Sequence, residues 1–292
     1  MMQIPFSKYH GLSNDYLFID AISQPALLDL PWTGLAKQMS NRRLGPGSDG
    51  IVILFRTLSG EIAMRIFNSD GSEAENCGNA LRCVARLCHE RGLSPSGQFP
   101  VHLVNRTAIV CVHADDPDYR DVTVNIGRAI WEREALPMTG QGDTVHIAIA
   151  AGDRTFDASC LSVGNPHCVL FVTDISDEEI LYYGPMIEHH RLFPQRINVG
   201  FCSVLNPGRL KLTVWERGAG LTGACGTGAT AAFAAATVRG LVRNVCHVEM
   251  PGGVLAFQVN AEADIFMSGP ADHVYDGLYP WTYTVSEPSL PA

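Results

Sequence analysis

The sequence predicts a mixed α/β fold made of two copies of one structural unit, and three repeated features support this prediction. The segments "NCGNALRCVARLCHERGL" (76–93) and "ACGTGATAAFAAATVRGL" (224–241) each place Cys-Gly before a helix-like run that ends in Arg-Gly-Leu. A hairpin pattern precedes each segment, and an asparagine-containing strand pattern lies further upstream. Self-similarity of this kind indicates a duplicated architecture.

The first repeated element is a strand with an asparagine near its start. "GLSNDYLFI" (11–19) is matched by "VGNPHCVLFV" (163–172), and Asn14 and Asn165 occupy comparable places. Apolar and aromatic residues dominate both segments, as is typical of strands. We therefore expect the two asparagines at equivalent points of the two halves.

The second repeated element is a hairpin. "GIVILFRTLSGEIAMRIFN" (50–68) predicts strands over 51–56 and 62–67, and "NVGFCSVLNPGRLKLTVWE" (198–216) predicts strands over 199–205 and 210–215. A polar residue, Asn68 or Glu216, ends the second strand of each hairpin. Two such halves are expected to pack face to face and leave a cleft between them.

The third repeated element is a helix that follows each Cys-Gly pair, over 78–91 and 226–239. The first turn of a helix has unpaired N–H groups and a partial positive charge, so it can bind a carboxylate and lower the pKa of a neighbouring thiol. The second helix is mostly Ala and Thr, with only Phe233 bulky, and we expect sheet against several of its sides.

Composition limits the classes of partner. The chain has 292 residues, which suits one large domain or two ordinary ones, and its net charge of -9 argues against a nucleic-acid partner. No apolar run is long enough to cross a bilayer, and the first residues lack the pattern of a signal peptide. Nine cysteines without an export signal predict reduced thiols in a cytoplasmic protein.

Seven of the cysteines fit an ordinary structural role, because free cysteines behave as small hydrophobic residues. Cys77 and Cys225 differ, since they stand in glycine-rich loops at equivalent points of the repeat. A zinc site is not expected, because the cysteines and histidines lack ligand spacing. "GPGSDG" (45–50) has the letters of a dinucleotide fingerprint but precedes a strand, so we interpret it as a loop.

Two thiols that face each other across a pocket predict a particular chemistry. One thiolate removes a proton from a carbon acid, and the opposite thiol delivers a proton to the other face, which inverts the centre. The helix N-termini would hold the α-carboxylate and stabilise the charge that develops on it. A duplicated fold supplies an acid and a base on opposite sides of one carbon.

The sequence resembles the diaminopimelate epimerase family in segments that follow the family's order from Lys8 to about Gly277. These segments are "KYHGLSNDYLFID", "FNSDGSEAENCGNALRC", "VGNPHCV", "RINVGF", "WERGAGLTGACGTGA", "MPGG" and "SGPADHVYDG". The resemblance implies a cofactor-independent two-base epimerase that interconverts LL- and meso-2,6-diaminopimelate. It also implies two domains, each a barrel-like sheet around a central helix, and a homodimer.

The resemblance further implies roles for individual residues. Cys77 and Cys225 match the two catalytic thiols, and His167 and Glu216 match residues that adjust the protonation of the thiols. The residues that match the substrate-binding set are Asn14, Asn68, Gly78, Asn79, Asn165, Asn198, Glu216, Arg217, Gly226 and Thr227. Among them, backbone amides at 78–79 and 226–227 hold the reacting α-carboxylate, and Arg217 pairs with a carboxylate.

Lysine scarcity supports cofactor-free chemistry independently. A pyridoxal-dependent racemase needs a Schiff-base lysine, whereas Lys8 and Lys211 lie in predicted strands and Lys37 in an amphipathic helix. The chain departs from the family pattern at Leu221, where a carboxylate is common, and at Gly50, where some members have a substrate-contacting glutamine. Ala80 and Ser69 are smaller departures.

The expected domains are residues 1–125 plus 270–292 and residues 126–269, with the active site between them. Two alternatives remain at this stage. The first is a cofactor-independent racemase of the same fold that acts on another amino acid. The second is a duplicated binding protein without catalysis, which would not exchange the α-proton of its ligand with solvent.

Overall fold

A computed structural model describes residues 2–74, 77–94, 96–113 and 121–282, which form a mixed α/β fold as predicted. The α-helices of the described residues are α1 (Trp32–Met39), α2 (Gly78–Glu90), α3 (Asp177–Glu188) and α4 (Gly226–Val238). The strands of the first half of the chain are β1 (Met2–Gly11), β2 (Asn14–Asp20), β3 (Gly50–Arg56), β4 (Ile62–Asn68), β5 (Glu73–Ala74), β6 (Gln98–His102), β7 (Thr107–Val112) and β8 (Asp121–Gly127). Those of the second half are β9 (Ile147–Ala151), β10 (Arg154–Ser162), β11 (Pro166–Phe171), β12 (Asn198–Asn206), β13 (Arg209–Glu216), β14 (Gly220–Thr222), β15 (Val245–Met250), β16 (Gly253–Val259), β17 (Ile265–Pro270) and β18 (Asp272–Trp281).

The strands form one continuous ribbon whose pairing pattern is the same from either end. From one end the order is β18–β1–β2–β3–β4–β6–β7–β8. From the other end it is β9–β10–β11–β12–β13–β15–β16–β17. The two runs meet where β8 and β17 pair antiparallel. The short strands β5 and β14 occupy matching places on β4 and β13.

Strand direction also repeats between the two runs. β2 pairs with β3 in parallel, as β11 does with β12, and each parallel pair is followed by an antiparallel hairpin. The parallel pairs need crossover connections, and these carry α1 in the first run and α3 in the second. The topology therefore contains the repeated strand, hairpin and helix that the sequence predicted.

The helices α2 and α4 lie inside the curves of the ribbon. α2 contacts β1, β2, β7 and β8, and α4 contacts β10–β13 and β15–β17. Nine consecutive residues of α4, 228–236, are buried, because Ala and Thr side chains let the sheet approach the helix on all sides. The close packing expected for this helix is confirmed. α1 and α3 cover separate apolar clusters on the opposite face of the sheet.

Predicted and observed boundaries agree closely. The helices predicted over 78–91 and 226–239 begin at the predicted residues and end one residue earlier, at Glu90 and Val238. The predicted hairpin strands are each present, with ends that differ by one residue at most. "GPGSDG" lies in a loop that leads into β3, as interpreted from its context. The domain boundaries proposed at 125 and 270 stay a prediction.

The helices of the described ranges are short or carry polar residues. None of them combines the length and the apolar character that a bilayer span requires.

Candidate functional site

Two thiols occupy the same structural position in the two runs of strands. Cys77 is the N-cap residue of α2, and its Sγ accepts the Ala80 N–H at 3.4 Å. Cys225 is the N-cap residue of α4, and its Sγ accepts the Gly228 N–H at 3.4 Å. Both caps have extended backbone, which is typical of this position. Each sulfur therefore lies at the positive end of a helix dipole.

Both thiols line one cavity of about 740 Å³ between the N-termini of α2 and α4. All but one of the sequence-predicted site residues line this cavity with them. These residues are Asn14, Asn68, Gly78, Asn79, Asn165, Asn198, Glu216, Arg217, Gly226 and Thr227. The exception is His167, which is buried behind Asn165.

Cys77 is surrounded by neutral polar groups. Its Sγ lies 3.6 Å from Tyr16 Oη and 3.9 Å from Asn14 Oδ1. Asn14 is held in place from two sides, since its Oδ1 accepts from Asn79 Nδ2 at 3.2 Å and its Nδ2 donates to Asp49 Oδ2 at 2.8 Å. Burial, and then the neighbouring Cys77, raise the pKa of Tyr16 well above its ordinary value, so the phenol stays neutral.

Cys225 lies in a more enclosed environment and is only 6% exposed. Its Sγ is 3.5 Å from Thr227 Oγ1. Burial raises the pKa of Cys225 to about 12, and the Glu216 carboxylate beside it acts in the same direction. The neutral thiol is therefore the stable form of Cys225, which suits a proton donor.

His167 is a buried neutral imidazole. Its Nε2 lies 3.0 Å from Asn165 Oδ1, and it stands opposite Asn198 in the β11–β12 register. Burial, and to a lesser degree the positive charge of Arg217, lower the pKa of His167 to about 3. His167 therefore contacts Asn165 but does not itself line the cavity.

The β13–β14 turn carries Arg217 and is anchored on both sides. Asn198 Oδ1 accepts the Arg217 N–H at 3.0 Å, and Asn198 Nδ2 donates to Pro166 O at 2.9 Å. Glu188, which is 3% exposed at the end of α3, accepts the Gly218 N–H at 2.9 Å. These contacts place the exposed Arg217 guanidinium at the cavity without an ion pair to a carboxylate in the described residues.

Sequence reasoning missed several cavity residues, among them Tyr16, Arg106 and Arg128. A signal for Tyr16 exists, because it lies two residues after Asn14 as His167 lies two residues after Asn165. Arg106 lies in the turn between β6 and β7, and Arg128 follows β8. The matching places in the other run, the β15–β16 turn and the residue after β17, contain no arginine, so no repeated pattern indicated them. Arg128 is ion-paired with Asp264 at 3.0 Å.

Two of the departures from the family pattern, Gly50 and Leu221, lie outside the cavity wall. Gly50 is buried opposite Tyr16 in the β2–β3 register, and a Cβ built there would lie 2.3 Å from Phe67 O. A larger side chain at this position therefore requires the backbone to move. Leu221 is 40% exposed on β14.

The remaining cysteines line no wall of this cavity. Those at 83, 88, 160, 168, 202 and 246 are buried as expected, and Cys111 is half-buried on β7. Within the described ranges, no group of three His, Cys, Asp or Glu side chains is arranged to hold a metal ion. The arrangement can offer one sulfur acid and one sulfur base to a ligand between two helix N-termini.

Comparison with known proteins points to one family. The sequence profile described as diaminopimelate epimerase matches residues 6–132 and 159–274. The chain is 43% identical over 279 residues to the diaminopimelate epimerase of Desulforudis audaxviator, covering 94% of this chain and 98% of that protein. It is 40% identical to the enzyme of that name from Pelotomaculum thermopropionicum, covering 94% and 99%.

Solved structures of low sequence identity share the fold. A hydroxyproline epimerase from Agrobacterium vitis superposes with a TM-score of 0.66 at 12% identity, covering 96% of this chain and 91% of that one. A methylitaconate-delta-isomerase superposes with a TM-score of 0.67 at 13% identity, covering 98% and 99%. At these identities the likeness concerns the fold alone.

Proposed function

We infer that this chain is an amino-acid epimerase, an isomerase, because it belongs to the diaminopimelate epimerase family. Its reaction is the interconversion of LL-2,6-diaminopimelate and meso-2,6-diaminopimelate, a step toward lysine and peptidoglycan precursors. The observation that carries this proposal is the pair of thiols at equivalent helix N-caps around one cavity.

The proposed mechanism uses Cys77 and Cys225 as the two bases. One sulfur, as thiolate, accepts the α-proton of the substrate, and the other, as thiol, gives a proton to the opposite face of the same carbon. The sulfur that donated is left as a thiolate, so the return reaction starts with the roles exchanged. The raised pKa of Cys225 supports its role as the donor in the resting state.

The cavity wall supports a division of the substrate into a reacting end and a distal end. Backbone N–H groups at Gly78, Asn79, Gly226 and Thr227 belong to the first turns of α2 and α4, where N–H groups lack helical partners. They would hold the reacting α-carboxylate and stabilise its growing charge. At the distal end, Arg217 would bind the second carboxylate, and the amides of Asn68, Asn165 and Asn198 would orient the amino-acid group.

The proposed chemistry needs no cofactor from outside the chain. The three lysines are all described, and none lines the cavity that holds the thiols. Lys8 is ion-paired with Asp15 at 2.8 Å, and Lys37 and Lys211 belong to α1 and β13. A Schiff-base lysine for pyridoxal chemistry is therefore not placed beside the thiols.

Three further features belong to the proposal. The two domains, residues 1–125 plus 270–292 and residues 126–269, close on the substrate and expel water from the cavity. The protein works in the cytoplasm as a homodimer. The chain has no nucleic-acid partner, in keeping with its net charge of -9.

Proton-exchange NMR tests the proposal. Incubation with LL-diaminopimelate in D₂O should replace the α-proton with deuterium and form the meso isomer. A panel of L-amino acids run in parallel separates this function from the alternative racemase. Absence of exchange with every substrate would identify a binding protein and contradict the proposal, and a preference for a monocarboxylic amino acid would favour the alternative.

A further inference from the structure

Arg106 carries two hydrogen-bond donors that no group of the described residues accepts. It lies in the turn between β6 and β7 and lines the cavity that holds both thiols. Its Nη1 donates to Ile126 O, whereas its Nε and Nη2 are buried and have no hydrogen-bond partner in the described ranges. A buried donor without an acceptor is costly, so its presence on a cavity wall indicates an acceptor that arrives with a ligand.

The two unpaired donors are neighbours on one edge of the guanidinium. In arginine, the Nε–H and one N–H of Nη2 point in the same direction and match the two oxygens of a carboxylate. The third nitrogen, Nη1, is tied to the end of β8 through Ile126. The side chain is thus held at one nitrogen, and the edge that binds carboxylates is left without a partner.

The charge of Arg106 is also uncompensated. Burial lowers the pKa of Arg106, with no contribution from an acidic side chain in the described part of the chain, and arginine stays protonated in proteins. Arg128 on the same wall differs, because it is paired with Asp264 at 3.0 Å. A partly buried cation without a counter-charge is costly to stability. An anionic group of a ligand in the cavity would offset that cost.

Arg106 lies near the first turn of α2 but not at the sulfurs. Ile126, which accepts from Arg106, has its Cδ1 3.7 Å from a Cβ built on Gly78. The hydrogen bonds of the Cys77 and Cys225 sulfurs in the described structure go to other groups. The reacting carbon must contact both sulfurs, and its carboxylate has the N–H groups of the helix N-termini. Arg106 is therefore available to a second carboxylate of the same ligand.

We propose that Arg106 binds the carboxylate at the non-reacting end of the substrate, in addition to Arg217, and so selects dicarboxylic amino acids. The inference rests on the proposed function, because it takes a dicarboxylic amino acid as the ligand. The guanidinium reaches the ligand by turning about its own single bonds, since one hydrogen bond, to Ile126, holds it in the described structure. A monocarboxylic amino acid leaves the unpaired edge without an acceptor, and this loss discriminates against it.

Two ligands that differ by one carboxylate test the proposal. L-Lysine has the carbon chain and both amino groups of LL-diaminopimelate but lacks the distal carboxylate. Calorimetric titration in a Cys225→Ser background measures the Kd of each ligand without epimerisation. Ligand-observed NMR extends the measurement to weakly bound L-lysine.

The expected result is a loss of affinity for one ligand only. Arg106→Gln should raise the Kd of LL-diaminopimelate about 10- to 100-fold and leave that of L-lysine within about twofold. Arg106→Lys keeps the charge but not the paired donors, so it should recover only part of the affinity. Arg128→Gln is the matched control on the same wall, and because Arg128 is already paired with Asp264 it should change either Kd by about twofold at most.

The outcomes separate the explanations. An unchanged Kd of LL-diaminopimelate in Arg106→Gln overturns the proposal, and so does an equal loss for both ligands, because Arg106 would then serve the reacting end or the fold. Urea denaturation checks the fold. If Arg106→Gln does not fold, Arg106→Lys decides, since a Kd of LL-diaminopimelate equal to the parent value would contradict a role for the paired donors.

The binding test is independent of turnover, so it can be told apart from the test of the function. Selective loss of LL-diaminopimelate binding without proton exchange in the parent enzyme would reject the epimerase function and keep the carboxylate site. Proton exchange in the parent enzyme with no selective loss in Arg106→Gln would reject the role of Arg106 and keep the function.

Discussion

At the residue scale, the two N-cap sulfurs have similar hydrogen bonds but different surroundings. Each accepts a backbone N–H of its own helix, at 3.4 Å in both cases. Cys225 is packed beside Glu216, whereas Cys77 faces the neutral Tyr16. Such a difference lets one group give and the other take a proton at the same pH.

Replacing either cavity thiol with serine removes a group of suitable acidity while keeping its size. We expect Cys77→Ser and Cys225→Ser each to reduce epimerisation by about 10²–10⁴-fold, because a serine hydroxyl is a far weaker acid. The loss of optical rotation as LL-diaminopimelate becomes the achiral meso isomer follows the rate, and circular dichroism checks the fold. Cys111→Ser, on β7 away from the cavity, is the matched control and should retain activity. Undiminished activity in either cavity variant would exclude a two-thiol reaction.

The buried imidazole of His167 should make the free energy of unfolding depend on pH. Its pKa falls from 6.5 to about 3 on folding, so the unfolded chain binds more protons between these values. The free energy of unfolding should therefore fall as pH drops through this window, by at most about 1.4 kcal/mol per pH unit from this residue. Urea denaturation at several pH values measures the slope.

The His167→Gln variant should lose this part of the slope while keeping a hydrogen bond to Asn165. His189→Gln, exposed after the end of α3, is the control and should keep the parent slope. An identical pH dependence in His167→Gln and the parent would contradict the assignment of a buried neutral imidazole.

At the element scale, α3 supports the site through its packing on β13. Gly184 of α3 lies against the Trp215 ring, and Trp215 Nε1 donates to Glu188 Oε2 at 2.8 Å. The same Glu188 holds the turn after β13, beside Arg217. A helix far from the thiols thus fixes the position of a cavity arginine.

A methyl group at Gly184 should disturb this packing. A Cβ built there lies 2.8 Å from the Trp215 ring, and we expect Gly184→Ala to lower the free energy of unfolding by about 1–3 kcal/mol. Gly34→Ala in α1 is the control, since its Cβ meets nothing within 4 Å, and it should stabilise by up to about 1 kcal/mol. Equal effects of the two changes in urea denaturation would show that Gly184 is not a packing contact.

At the scale of the whole molecule, the repeat explains what the sequence could predict. Hairpin, helix and thiol positions were predictable because each appears twice, and the two copies identify each other's boundaries. The pairing of β8 with β17, which makes the ribbon continuous, was not predictable, since long-range strand pairing has no local signal in the sequence. Arg106 was not predicted for a related reason, because the matching turn between β15 and β16 is Pro-Gly and contains no arginine.

Two reactive thiols in one cavity predict sensitivity to oxidation of the whole enzyme. Mild peroxide should inactivate the protein by joining Cys77 to Cys225, and dithiothreitol should restore activity. Intact-mass analysis should show the loss of two hydrogens, and Cys77→Ser should not show it. Full activity after peroxide treatment would contradict this expectation.

The pairing of β1 with β18 has a consequence for how the protein is made. On the ribosome, each strand from β10 to β17 emerges after a strand with which it pairs, whereas one edge of β1 waits for a strand at the opposite end of the chain. Until then the nascent protein exposes an open strand edge, which is a template for association with other chains. Chaperone dependence during synthesis should therefore concentrate on the segment that was translated first.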